Sequence, residues 1–313
     1  MLSFTLKRLL SGVILLFAVA TGTFFLAHVA IPDPTVGLLG SAATPEAQAA
    51  LAQKIGTDRP LLVQYFDWLG GMLRGDFGDS WKNFQPVGKQ IALKLPVTLS
   101  VVTASIVLSA ILGGLLGVVA GLRPNSWIDR VVRIGSVVLF ALPGFWVALV
   151  LAMVFAVQLK RFPAVGYTAP GQSIPDWLLS ITLPAISLAL GAIVMIAEQL
   201  RNAIMQVDRQ DYVRTLRSRG IPHWRIVIHM VRNAAPASLT VLALMFVGLL
   251  SGAIIVEQIF ALPGIGAMTQ GASQNGDIPM LLGITVITVI FVVIVNFLLD
   301  ILLGWINPKA RVK

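Results

Sequence analysis

Six stretches of this chain contain no Asp, Glu, Lys or Arg: Leu9–Ile31, Leu95–Leu122, Ile134–Leu159, Trp177–Ala197, Asn233–Val256 and Ile278–Leu299. Each reaches the roughly 20 apolar residues that a membrane-crossing helix needs. In hydrocarbon every backbone N–H and C=O must be paired within the protein, so a single run of this length can cross only as a helix. Composition agrees: 57% of residues are hydrophobic and 12% charged, where a soluble domain carries about 25% charge. The fold class is therefore an all-α polytopic membrane protein with six transmembrane helices. Pro143-Gly144 and Pro184 interrupt two of the spans and predict kinks.

The first span could be read as a signal peptide, because Lys7-Arg8 precede it and Ala18-Val-Ala20 resembles a cleavage site. Signal h-regions run about 7–15 residues, whereas this apolar run continues to Ile31, which predicts a retained helix. Orientation follows from Lys and Arg in the short connections. With both termini inside, the cytoplasmic parts hold Lys7, Arg8, Arg123, Arg130, Arg133, seven arginines between 201 and 232, Lys309, Arg311 and Lys313. The short outer loops hold only Lys160 and Arg161. Both termini are expected in the cytoplasm. The linear organisation is then an N-terminal end with the first helix (1–31), an extracytoplasmic loop (32–94), a five-helix core (95–305) and a short tail (306–313).

Against this apolar background one segment is densely basic. Arg201 to Arg232 carries seven arginines against two aspartates, Asp208 and Asp211. Its amphipathic run reaches Gly220, a residue suited to a left-handed helix C-cap, and Pro222 then fits the first turn of a second helix. A basic helix–turn–helix on one membrane face is a docking surface.

The 32–94 loop is long enough to fold. Thr44-Pro45-Glu46 reads as N-cap, first-turn proline and acid, with Lys54 and Gly56 closing that helix. A second helix is expected from Pro60 to Leu73, with Leu61, Leu62, Tyr65, Phe66, Leu69 and Met72 on one face. The glycines of Arg74-Gly75-Asp76-Phe77-Gly78-Asp79-Ser80 then break it. Two readings stand for the loop: a cap packed on the membrane domain, or a contact for an extracytoplasmic partner. In the last outer loop, Val256-Glu257-Gln-Ile-Phe260-Ala-Leu-Pro263-Gly264-Ile-Gly266 turns at Pro263-Gly264 yet is mostly apolar, so it is expected to dip back toward the bilayer or to pack against helix ends. Glu257 near the outer end, where ionisation costs little, is read as a helix cap or a cation's partner rather than a ligand group.

Catalytic chemistry is not evident. No Cys is present, no phosphate-binding Gly-x-x-x-x-Gly-Lys-Ser/Thr loop occurs, and His28, His223 and His229 form no metal motif and read as structural or surface groups. Asn296 and Asp300, four residues apart near the inner end of the sixth span, could form a polar helix contact or a conduction-path pair, and the nearness of Asp300 to the interface favours the contact.

Three co-linear motifs carry a family resemblance. Asp211-Tyr-Val-Arg-Thr-Leu-Arg-Ser-Arg-Gly220 through Val231-Arg-Asn-Ala-Ala-Pro236 resembles the cytoplasmic loop of ABC-importer permeases. Arg74–Ser80 and Val256–Gly266 resemble two further signatures of the dipeptide, oligopeptide and nickel branch. Where the general family has Glu-Ala-Ala, this chain has Arg214-Thr215-Leu216, closer to the Arg-Thr-Ala of that branch. The length and the long loop after span one look like the first (B-type) permease of such systems.

The resemblance implies one half-channel of a type I importer in a bacterial inner membrane. It implies a second homologous permease, two ATP-binding subunits (or one fused), and an extracytoplasmic substrate-binding protein. ATP and magnesium would be bound by the partners, with no cofactor, metal or catalytic residue in this chain. The helix ending near Gly220 would be the coupling helix of loop 198–235. Asp211, Arg214, Thr215, Arg217 and Arg219 would supply its polar face, and Val213, Leu216, Ile221 and Trp224 its packing into a groove of the ATPase. Gly75, Asp76, Gly78, Ser80, Glu257, Phe260, Pro263, Gly264 and Gly266 would form the external motifs. The expected cargo is dipeptides or oligopeptides, with nickel, glutathione or other small solutes as alternatives. A secondary transporter would usually show ionisable groups at the membrane midplane and repeated halves. No charge lies deep in any of the six spans.

Overall fold

The computed structural model describes residues 2–40 and 43–306; the 306–313 tail, with Lys309, Arg311 and Lys313, lies beyond these but for Ile306. The described secondary structure is helical, save one isolated antiparallel bridge between Asp79 and Pro86. In chain order the helices are α1 (Leu2–Ala30), α2 (Pro34–Leu39), α3 (Pro45–Ile55), α4 (Leu61–Leu73), α5 (Val87–Leu122), α6 (Trp127–Ala141), α7 (Gly144–Leu151), α8 (Ile174–Asp208), α9 (Asp211–Ser218), α10 (His223–Ile259), α11 (Ile265–Asn275) and α12 (Ile278–Ile306). α7 continues as a π-helical run, Ala152–Gln158. Among the described residues, α1, α5, α8, α10 and α12 are each long and apolar enough to cross a membrane, and the α6–α7 pair makes six if it is one broken span.

The two flagged prolines behave differently. At Leu142 the backbone is extended (φ −91°, ψ 129°), as expected for a residue crowded by a following proline, and the span breaks into α6 and α7. At Pro184 the helix does not end: α8 runs on from Ile174 to Asp208. Ile181, Leu183, Pro184 and Ala185 are all buried there, and this packing holds the helical path.

Two compact units divide the described chain, one from Leu2–Val97 and Pro263–Val293, the other from Thr98–Leu262 and Ile294 onward. In the first of these units residues 32–94 group with α1, α11 and part of α12. In this first unit the helix caps fall where their residue types place them. Thr44 Oγ1 accepts from Ala47 N at 3.3 Å, and Gly56 closes α3 in the left-handed region (φ +77°). α4 turns Tyr65, Trp68, Leu69 and Met72 into clusters with Ala20 and Phe24 of α1 and Ile278, Leu282 and Val286 of α12. Leu61, Leu62 and Phe66, expected on that same face, are instead exposed. They belong to a neighbouring stripe, and one helix cannot lay both stripes on the same neighbours.

The second unit is organised by α8, which packs against α6, α7 and α10. α5 lies on α8 in a constant register: Ser105 Oγ donates to Ala185 O at 3.1 Å and Ser109 Oγ to Ala189 O at 3.3 Å, each 80 residues on. Gly113 and Gly117 continue this stripe. A Cβ on either would come within 2.8 Å of Ile193 O or 2.7 Å of Ala197 O, so only glycine allows the approach. An unvarying offset means that the two helices run parallel.

Candidate functional site

The arginine-rich segment folds as the sequence predicts, into a helix, a turn and a second helix. α8 ends at Asp208, Gln210 caps α9 with extended backbone, and α9 runs for eight residues with Asp211 in its first turn and Arg217 in its last. Gly220 adopts φ +69°, and Ile221 N bonds back to Leu216 O at 3.2 Å, which closes the helix with a left-handed cap. Pro222 stands one place before the expected position. It is the N-cap of α10 rather than a first-turn residue, and His223 begins the helix.

α9 is held by apolar packing within its own chain. Val213 is 0% exposed in a cluster with Leu200, Ile204 and Val207 of α8 and Ile226, Met230 and Ala234 of α10; Tyr212, Leu216 and Ile221 pack around it. This corrects one expectation. Val213 has no surface to offer an ATPase groove, and Leu216 and Ile221 are partly committed inward; all three fasten α9 to the body. Of these apolar residues Trp224 alone is exposed, at 60%, with the Arg225 guanidinium 5.1 Å from its ring centroid.

The polar residues divide in the same way. Arg217 bonds Asp208 at 2.5 Å, a pair that braces α9 against the end of α8. Asn233 donates to the Tyr212 hydroxyl at 2.8 Å, tying α10 to α9. Thr215 Oγ1 bonds Asp211 O within the helix. Arg214 and Asp211, 3.8 Å apart with side chains 74% and 98% exposed, face outward, as does Arg219. At such exposure their ion pair contributes little to stability. Beside the elbow, a cleft of about 150 Å³ is walled by Gly121, Pro124, Asp208, Arg209, Arg217 and His223.

The 74–80 and 256–266 motifs have a different character. Gly75 (φ +79°) ends α4, and Asp76 Oδ1 accepts from Gly78 N at 2.9 Å, closing the turn. Ser80, 1% exposed, donates to Asp277 Oδ2 at 2.5 Å, and Trp81 N donates to the other oxygen at 3.1 Å. Asp277 also accepts weakly from Met280 N at 3.4 Å, as an N-cap of α12 does. Glu257 is not at an accessible helix end: it is fully buried and accepts from Thr98 Oγ1 at 2.5 Å. Phe260 is buried and its carbonyl accepts from Gly166 N at 3.0 Å. Pro263 and Gly264 lead into α11, where Gly266 is buried.

Sequence reasoning missed two carboxylates. Asp277 carried a local sign, since an Asp before Ile-Pro is a helix N-cap pattern. Asp129 stands three residues after Ser126, a capping pattern in the α6 sequence. In the structure it is 0% exposed, its Oδ1 bound by Arg201 Nε and its Oδ2 by Asn125 N at 2.8 Å. Its partner lies 72 residues away, beyond any local signal. Among the described residues no His, Cys, Asp and Glu group is arranged to hold a metal ion.

Comparison with known proteins places these features. Residues 113–312 match the family described as "binding-protein-dependent transport system inner membrane component", and residues 1–102 match its N-terminal membrane-component model. The chain is 35% identical over 312 residues, 99% of both chains, to a putative peptide transport system permease protein of Brucella abortus (strain 2308). It is 31% identical over 315 residues, 99% of this chain and all of the other, to the oligopeptide transport system permease protein of Bacillus subtilis (strain 168). A probable peptide ABC transporter permease protein of Sinorhizobium fredii is 30% identical over 309 residues, 98% of this chain and 99% of the other. The chain belongs to the family of inner membrane components of binding-protein-dependent transport systems.

Proposed function

We propose that this permease forms half of the translocation pathway of an ATP-driven importer of dipeptides or oligopeptides. Its α9 elbow is the surface on which a separate ATP-hydrolysing subunit docks. The complete machine holds a second homologous permease, two ATP-binding subunits and an extracytoplasmic binding protein that delivers the cargo. ATP and magnesium bind to the partners, and both termini of this chain face the cytoplasm. The peptide assignment rests on the relatives' names, the docking assignment on the elbow.

The observation that carries the docking reading is the division of labour within one eight-residue helix. Val213 fixes α9 to the body while Arg214 and Arg219 remain exposed, beside Trp224 on α10. A short helix rigidly joined to two long ones passes on a rigid-body tilt. Closure of an ATPase pair pressing on α9 therefore moves α8 and α10 together. Arginine suits such a contact, because its planar fork binds carboxylates in two places and is weakly hydrated.

The test is co-purification and uptake. Arg214→Glu with Arg219→Glu is expected to leave the permease folded and to strip the ATPase from it, abolishing ATP-dependent uptake of labelled di- and oligopeptides into proteoliposomes. An ATPase that stays bound and active with the reversed charges refutes α9 as the docking element. Uptake of no peptide by the intact complex, in the presence of its binding protein, refutes the substrate assignment alone.

A further inference from the structure

We infer that Asp129 is a positioning residue for energy coupling: through Arg201 it welds the α5–α6 turn to the inner end of α8, so that force applied at α9 reaches the broken α6–α7 span as well as α8 and α10. The inference rests on α9 being the docking element.

The argument begins with the carboxylate. Asp129 is completely buried, and both of its oxygens are engaged, one by Arg201 and one by the backbone N–H of Asn125. Asn125 itself sits at φ +64°, at the tight point of the turn between α5 and α6. Asp129 N donates back to Ser126 Oγ at 3.3 Å, so the turn and the first turn of α6 close on one another. One side chain thus shapes the turn and also holds it to another helix. Arg133 stands 3.9 Å from the same carboxylate as a weaker second cation.

Packing at that level is equally close. Ala120 of α5, Val132 of α6 and Ala197 of α8 are buried together, at 0%, 3% and 0% exposure. A Cβ on Gly121 would come 2.9 Å from Ile204 Cβ and 3.1 Å from Arg201 O, the last step of the register that joins α5 to α8. Three helices therefore converge within about one turn of Arg201. Ile204, less than a turn further on, belongs to the cluster that holds Val213 of α9. From exposed arginine to buried aspartate, the path is a continuous sequence of packed groups.

A buried ion pair is not by itself a device for stability. What sets Asp129–Arg201 apart is its place. The α8–α9 and α9–α10 junctions are already braced by Arg217–Asp208 and Asn233–Tyr212. α6 has Asp129 as its charged tie to α8 at this end. With that tie lost, α9 still docks and still moves α8, but α6 and the broken α6–α7 span lag behind.

The experiment uses the assembled transporter in nanodiscs and proteoliposomes. Cysteines replacing the exposed Trp127 (start of α6) and Gln206 (end of α8) carry spin labels, a clean placement in a chain that has no Cys. In the otherwise native protein the inter-label distance is expected to stay the same in nucleotide-free and ATP-trapped complexes; a distance that changes overturns the inference. Asp129→Asn is expected to keep the ATPase bound and hydrolysing, to make the distance nucleotide-dependent, and to lower peptide transported per ATP about tenfold. Asp129→Glu, which keeps the carboxylate, recovers most of that ratio. If Asn and Glu behave alike, or Asn lowers only thermal stability, Asp129 has no positioning role. Should Asp129→Asn not accumulate, the native-chain distance decides alone. Failure of the docking reading looks different, because the ATPase would then be absent or indifferent to α9.

Discussion

Two glycine-containing turns of this protein use their polar groups in opposite ways. In the 74–80 turn Asp76 caps its own backbone, and Ser80 is spent on Asp277, 197 residues away, in a buried bond. In the α9 elbow Val213, Leu216 and Ile221 turn inward while Arg214 and Arg219 stay in solvent. The first arrangement finishes a structure; the second leaves charge available for something else. Sequence motifs of equal prominence can therefore carry different roles, and burial of the polar atoms tells them apart.

The contrast can be broken at its strongest point first. Val213→Asp places a charge with no partner in the α8–α10 cluster. It is expected to cost several kcal/mol, enough to prevent accumulation of folded permease in membranes. Normal accumulation would mean that α9 is not anchored as described. Next comes Asp277→Ala, which orphans Ser80 and the Trp81 N–H in a buried site; a loss of about 2–3 kcal/mol is expected, read as a lower melting temperature in detergent. Ser80→Ala removes one partner and should cost about 1–2 kcal/mol in the same assay. If either leaves melting unchanged, the 74–80 turn is not a structural closure. At the small end, Arg214→Ala should move stability by less than about 0.5 kcal/mol, since an exposed pair is worth little. It should nonetheless weaken ATPase retention in a salt-dependent manner.

Much of the molecule was legible in the chain. The spans, the α3 caps and the elbow were readable because each depends on residues within a few positions: Thr44 with Pro45, Gly56 after Lys54, Gly220 before Pro222. The break at Leu142-Pro143 was legible as steric crowding before a proline, while the unbroken course of α8 through the buried Pro184 depends on packing that the sequence does not show. The choice between the Leu62–Phe66 and Tyr65–Met72 stripes of α4 depended on which neighbours were present, and periodicity alone could not make it. Least legible were Asp129 and the inward turn of Val213. Both depend on helices meeting far along the sequence, and an amphipathic pattern does not say whether its apolar side faces its own chain or a partner.

The claim on which the rest depends is that α9 is anchored within and charged without, so that its arginines can be altered without loss of the fold. The most direct measurement is the amount of ATPase retained by purified permease bearing Arg214→Glu and Arg219→Glu, alongside its melting temperature. Loss of the ATPase with an unchanged melting temperature is the predicted result. Retention of the ATPase at native levels, with uptake intact, would contradict it.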